Sequence, residues 1–138
     1  MTNEVKIYTD GSWSSNKPEV AGWSFLVVVE DKVVHFQYGQ APSHSQQVGG
    51  ELKAVMAGLL WASKNNISKV NLCHDYTGVA FWAKGTWKAK KELPMKYVSF
   101  VQPLMKLINV EFVKVPAHTG DKFNELADKL AKRGVMEG

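Results

Sequence analysis

Glu51-Leu52-Lys53-Ala54-Val55-Met56-Ala57-Gly58-Leu59-Leu60, residues 51–60, is where this chain changes period. Leu52, Val55, Met56, Leu59 and Leu60 fall on one face of a helix. Upstream the pattern alternates. Val5-Lys6-Ile7-Tyr8-Thr9-Asp10 reads as a strand over residues 4–10, and residues 21–29 and 33–39 read as two more, rich in β-branched and aromatic side chains. Glu30-Asp31-Lys32 is a tight connection, and short turns make the three an antiparallel meander. Downstream, Asn65-Asn66 ends the helix and Lys69-Val70-Asn71-Leu72-Cys73 is a fourth strand. A strand–helix–strand crossover makes that strand parallel to the first. Gly78 to Lys84 reads as a short helix, residues 97–108 as another, and Val110 to Val115 as a fifth strand. Phe123 to Arg133 is the closing helix, with Gly134 as its expected C-cap. The expected fold is α/β: a five-stranded mixed sheet, three strands antiparallel and two parallel, with helices packed on both faces.

Sites in such sheets gather at the carboxyl ends of parallel strands. Asp10 and Asp75 fall there, Glu51 opens the first long helix and Asp128 lies in the last. Carboxylates brought together repel one another, and they stay ionised only around positive charge. Hard oxygen ligands select Mg²⁺ or Mn²⁺. The pattern points to metal-dependent chemistry on phosphates. Each acid also has a plainer reading. Asp10-Gly11 is a turn signal, Glu51 complements a helix dipole, Asp75 caps the next helix and Asp128 is a solvated face residue. Asp is a poor mid-helix residue, which favours function at Asp128.

At 138 residues the chain is one domain of common size, read as 1–138 with no linker or repeat. Its single cysteine, Cys73, excludes an intramolecular disulfide, and a reducing compartment follows. No apolar leader region and no membrane-length apolar run is visible, so the expected location is cytoplasmic, with no membrane partner. The formal charge is +4. Residues 84–96 hold five lysines and one glutamate, and the remainder balances at twelve basic and twelve acidic residues. The positive charge is therefore one patch, suited to holding a polyanion.

These residues resemble ribonuclease H of type 1, the fold also found as the nuclease domain of reverse transcriptases. The resemblance covers nearly the whole chain. It rests on Tyr8-Thr9-Asp10-Gly11-Ser12, Gly50-Glu51-Leu52-Lys53-Ala54, Asp75, Trp82…Trp87-Lys88, and Ala117-His118-Thr119-Gly120-Asp121…Asn124-Glu125-Leu126-Ala127-Asp128. It implies an endoribonuclease that hydrolyses the RNA strand of RNA–DNA hybrids, leaving 5′-phosphate and 3′-hydroxyl ends. It implies two Mg²⁺ ions, with Mn²⁺ able to substitute. Asp10 would bridge both ions, Asp128 would help hold the one that activates water, and Glu51 and Asp75 the one on the leaving side. His118 would assist proton transfer or product departure. Gly11, Ser12 and Asn16 would sense ribose in the minor groove, and Glu51 could reach a 2′-hydroxyl. Trp82, Lys84, Trp87, Lys88, Lys90 and Lys91 would form the handle that grips the DNA strand. His35, His44 and His74 receive no role, and Trp13 and Trp23 read as packing.

The chain departs from the family at three places. Ser15-Asn16-Lys17-Pro18-Glu19 replaces a glycine-rich turn, keeping Asn16. Gln46-Gln47-Val48-Gly49-Gly50 replaces Thr-Asn-Asn, with Gln47 standing in for an asparagine that contacts substrate. Tyr76 replaces a serine after the third acid. The resemblance implies a monomer with no obligate protein partner and no separate hybrid-binding module. The alternatives are a catalytically silent nucleic-acid-binding module and a DNA-acting nuclease on the same fold.

Overall fold

The computed structural model describes residues 4–42, 47–115 and 121–137. Among them five strands form one sheet, in the order β3-β2-β1-β4-β5. β1 (Val5–Trp13), β2 (Val20–Val29) and β3 (Lys32–Pro42) are the antiparallel meander. β4 (Lys69–His74) pairs parallel with β1, and β5 (Asn109–Lys114) parallel with β4. The meander and the crossover expected from the period change are both present. β1 runs further than residue 10, however. Gly11 and Ser12 lie inside the strand, paired with Trp23 and Gly22, rather than after it.

Local chemistry sets the connections. The β2–β3 hairpin turns on Glu30 and Asp31 alone, at φ 52° and 61°. Two successive left-handed residues match the twist of the flanking strands. α1 (Gln47–Lys64) ends at Asn66, φ 57°. There Ile67 N–H donates to Ala62 O at 3.0 Å and Asn66 N–H to Ser63 O at 3.2 Å. These two bonds satisfy carbonyls that the helix end would otherwise leave without partners.

Strand alternation sends side chains to two cores. Ile7, Phe25, Val27, Val70 and Leu72 pack against Leu52, Val55 and Leu59 of α1, and with Val79, Tyr97 and Val101 of α2 (Thr77–Ala83) and α3 (Glu92–Leu107). Tyr8, Leu26, Val28 and Cys73 pack on the opposite face against Ala127 and Leu130 of α4 (Lys122–Glu137). Each large apolar side chain buried this way contributes roughly 1.5–3 kcal/mol. Tyr97 is fully buried and satisfies its hydroxyl by donating to Val79 O at 2.6 Å. No described helix is long and apolar enough to cross a membrane.

Three helix starts or ends differ clearly from the sequence expectation, the first being α1, which begins at Gln47 so that Glu51 lies inside the helix and does not open it. α3 begins at Glu92, not at residue 97. Pro94 occupies its first turn, where a backbone N–H has no partner to lose. The last part of the basic segment is therefore helical. α4 continues to Glu137, so Gly134 is internal and not a cap. A Cβ there would stand 2.3 Å from Gly39 O, so glycine is what allows α4 to lie against β3. The same holds at the sheet centre. A Cβ on Gly22 would meet Ala131 O of α4 at 1.9 Å, and one on Gly50 of α1 would meet Gly22 O at 2.1 Å. The two helix layers close on β2 at this one residue, beside the acids.

Candidate active site

Parallel pairing of β1 and β4 brings their carboxyl ends side by side, and with them Asp10 and Asp75. Glu51 comes from the first turns of α1, held close to the sheet by Gly50. Asp121 caps α4 by accepting Phe123 N–H at 2.9 Å and Asn124 N–H at 3.2 Å. That cap presents Asn124, Glu125 and Asp128 to the same place. Together with Gly11 and Tyr76 these residues line a cavity of about 300 Å³.

Three of the acids form a tight group. One carboxylate oxygen from each of Asp10, Glu51 and Asp75 lies within 4.8 Å of the other two. Asp10 and Glu51 are each only 4% exposed, so water does little to separate their charges. Gly11 N–H donates to Asp10 Oδ1 at 2.9 Å. Glu51 Oε2 is buried with no hydrogen-bond partner among the described residues. Burial is the first cause that pushes the Asp10 carboxyl up to about 7. The charges of Asp75 and Asp128 add to it, while hydrogen bonds from Glu51 and Gly11 oppose it. Glu51 is raised well above the usual carboxylate range, first by burial and then by Asp10 and Asp75.

This arrangement fits a hard divalent cation. All three donors are oxygens, the ligand type Mg²⁺ and Mn²⁺ take. The partnerless Glu51 oxygen is where a ligand bond would replace the missing hydrogen bond. Positive charge would also offset the burial and the mutual repulsion that raise the Asp10 and Glu51 carboxyls.

Asp128 stands apart from the three. It lines the cavity, but its Oδ2 is 2.9 Å from Lys132 Nζ one helical turn on. His118 lies outside the described residues, as does the Gln47 side chain; the Gln47 backbone opens α1. Asn16 is exposed in the connection between β1 and β2 and does not line the cavity. That connection is closed by Trp13 Nε1 donating to Pro18 O at 3.1 Å and anchored by Lys17 Nζ donating to Val135 O at 3.2 Å.

The basic segment is shaped by aromatic rings. Trp87 meets Trp82 at 5.5 Å and Phe81 at 5.2 Å, both edge-on, and Trp87 N–H donates to Phe81 O. Lys84 Nζ sits 5.7 Å over the Phe112 ring of β5. Lys88, Lys90 and Lys91 are exposed, whereas Lys96 pairs with Glu92 at 2.9 Å inside α3. The residues that sequence reasoning left without a role at the cavity are Tyr76, Asn124 and Glu125. The last two lie inside a recognised motif, and the signal for Tyr76 was its departure from one. His74, next to Asp75, is buried with Nδ1 2.9 Å from Tyr76 O, and burial lowers its pKa.

Known proteins are similar to this chain in sequence and in fold. A family model described as RNase H matches residues 2–136. Ribonuclease H of Pseudomonas fluorescens is 32% identical over 148 aligned residues, spanning 99% of this chain and 95% of that protein. The N-terminal RNase H domain of a Mycobacterium tuberculosis protein superposes with a TM-score of 0.82 at 23% identity, covering 98% of this chain and 95% of that one. LC11-RNase H1, isolated from compost and solved with an RNA/DNA hybrid, superposes with a TM-score of 0.75 at 16% identity, covering 96% and 99%. The two structural likenesses are likenesses of fold, whereas the family model and the Pseudomonas fluorescens relative match nearly the whole chain in sequence. This chain belongs to the RNase H family.

Proposed function

We propose that this chain is an endonuclease that hydrolyses the RNA strand of RNA–DNA hybrids, leaving 5′-phosphate and 3′-hydroxyl ends. The observation that carries the reading is the buried group Asp10, Glu51 and Asp75, its oxygens within 4.8 Å and one of them without a partner. The hybrid bound by LC11-RNase H1 on the same fold supports the choice of substrate. Asp10, Glu51 and Asp75 would hold divalent cations, with Asp128 completing the set from α4. When bound, a pair of such ions supplies the charge that stabilises an in-line displacement at phosphorus. Burial and mutual repulsion raise both the Asp10 and Glu51 carboxyls, and once ionised beside such cations the two would act as acceptors only. Gly11, Ser12, Asn16 and Gln47 are the proposed ribose-sensing set. His118 is the proposed group for proton transfer or product departure.

In this reading the grip on the DNA strand comes from Lys84, Lys88, Lys90 and Lys91, with Trp82 and Trp87 holding the segment's shape. Replacing Lys88, Lys90 and Lys91 together with Ala is expected to raise KM about 10-fold, flatten its dependence on salt and spare kcat. Steady-state kinetics at several salt concentrations measures this; a large fall in kcat at unchanged KM contradicts the handle.

The reading itself is tested by incubating the purified protein with Mg²⁺ and labelled RNA–DNA hybrid, double-stranded DNA or double-stranded RNA. Cleavage of the hybrid alone, stopped by a chelator, is the expected result. Hybrid that is bound but uncut in both Mg²⁺ and Mn²⁺ would make the chain a silent binding module. Cleavage of double-stranded DNA would make it a DNA-acting nuclease.

A further inference from the structure

The acidic cavity is rich in acceptors and poor in donors. Once ionised, Asp10, Glu51, Asp75, Glu125 and Asp128 only accept hydrogen bonds, and so do phosphate oxygens. The Gly11 N–H is already committed to Asp10. Among the described side chains lining the cavity, only Asn124 and Tyr76 can donate, and Asn124 is buried at 5% exposure. Tyr76 is half-buried, and its hydroxyl has no hydrogen-bond partner among the described residues.

The ring beneath that hydroxyl is fixed. A Cβ on Gly78 would stand 2.4 Å from Tyr76 Cε2 and 2.8 Å from Trp82 Cζ3, so glycine lets both rings close over the start of α2. Trp82 meets the Tyr76 ring at 6.0 Å and an interplanar angle of 52°. Trp82 in turn packs on Trp87, which packs on Phe81. One aromatic row thus runs from the acids to the lysine segment. A ring placed this way offers an apolar wall to a sugar and a neutral donor to the backbone beside it.

We propose that Tyr76 is a substrate-contacting residue: its phenol donates a hydrogen bond to the backbone of the nucleic-acid strand lying over the acids, and its ring, held by Gly78 and Trp82, seats the adjoining sugar. This rests on the nuclease reading only for which strand lies there. The contact is tested with Tyr76→Phe, which removes the donor, and Tyr76→Ser, which removes the wall. Hybrid affinity is measured by fluorescence anisotropy in an Asp10→Asn background with Mg²⁺, so that binding is read apart from cleavage. In the native background kcat and KM are measured on the hybrid, alongside calorimetric Mg²⁺ binding to substrate-free protein.

Tyr76→Phe is expected to lower kcat/KM about 10-fold, as one lost hydrogen bond would, and Tyr76→Ser about 100-fold. Hybrid Kd should rise about 3-fold and about 10-fold, with substrate-free Mg²⁺ affinity and thermal midpoint unchanged in Tyr76→Phe. The contact is overturned if both variants match the native chain in kcat/KM and Kd. It is also overturned if substrate-free Mg²⁺ affinity falls by the same factor as kcat/KM, since Tyr76 would then act through the acids. If the native chain cuts no hybrid, the nuclease reading falls, and the two Kd values alone decide the contact.

Discussion

Replacing Asp10 with Asn is expected to lower hybrid cleavage by at least about 10³-fold, more than the 10- to 100-fold typical of a partner outside the metal's own ligands, while leaving the metal-free protein as stable as the native chain or more so. The reason is the environment that holds the Asp10 carboxyl up at about 7, with burial first and the charges of Asp75 and Asp128 behind it. In an unfolded chain the same carboxyl titrates near 3.9. Between those values the native protein keeps a proton that the unfolded chain has lost. The stability of the metal-free protein therefore falls as pH rises from about 4 to about 7, and levels off above. Each unit of separation is about 1.4 kcal/mol, so the loss amounts to a few kcal/mol. Asn has no proton to lose. In the presence of a chelator, the thermal midpoint of the native chain should drop between pH 5 and pH 8, and that of Asp10→Asn should drop less. Added Mg²⁺ should raise the native midpoint at pH 8 by mass action and leave the variant nearly unmoved. A variant that loses activity because it unfolds would refute the electrostatic account.

Gly22→Ala is the second large effect, and it acts on the framework. The new methyl would lie 1.9 Å from Ala131 O and 2.9 Å from Val135 N, both main-chain atoms of α4 that no rotamer change can move. Ser24 Oγ donates to Ala127 O at 2.6 Å, so the helix is tied to β2 close by and cannot lift freely. The expected cost is about 3 kcal/mol or more, at or beyond the upper end for overpacking. That is a large share of the total stability of a domain this size. Urea unfolding measures it. Gly49→Ala is the control, because a Cβ there meets Pro42 O at an ordinary 3.4 Å; it should change stability by less than about 1 kcal/mol. A Gly22→Ala midpoint close to that of the control would show that the layers are looser than their spacing implies.

Much of this architecture was legible in the chain. The change of period at Glu51 and the return to a strand at Lys69 were enough to place β4 parallel to β1, and so Asp10 beside Asp75. What escaped is non-local. Gly134 follows the last strongly periodic residues of α4, and a glycine there reads as a cap; its reason is Gly39, ninety-five residues earlier in the chain and in another layer. The start of α3 was missed because Lys88, Lys90, Lys91 and Pro94 look like loop. Proline is welcome in a first turn, and the Glu92–Lys96 pair supports it. Asp128 could have been anticipated better. Lys132 lies four residues on, the spacing at which an acid and a base meet on a helix, and there the two do pair. Tyr76 could only have been noticed as an oddity, because its value comes from which other cavity side chains lack donors.

The main-chain oxygen of Val135 in the last turn of α4 receives two side chains, Lys17 Nζ at 3.2 Å and Gln40 Nε2 at 3.0 Å. Lys17 follows Asn16 directly, and Val135 lies two helical turns beyond Asp128 on one stiff rod, roughly 10 Å along its axis. The β1–β2 turn is therefore tied to the same helix that carries Asp128. Removing the Lys17 amine would leave the Val135 oxygen with Gln40 as its described side-chain partner and release the turn from α4.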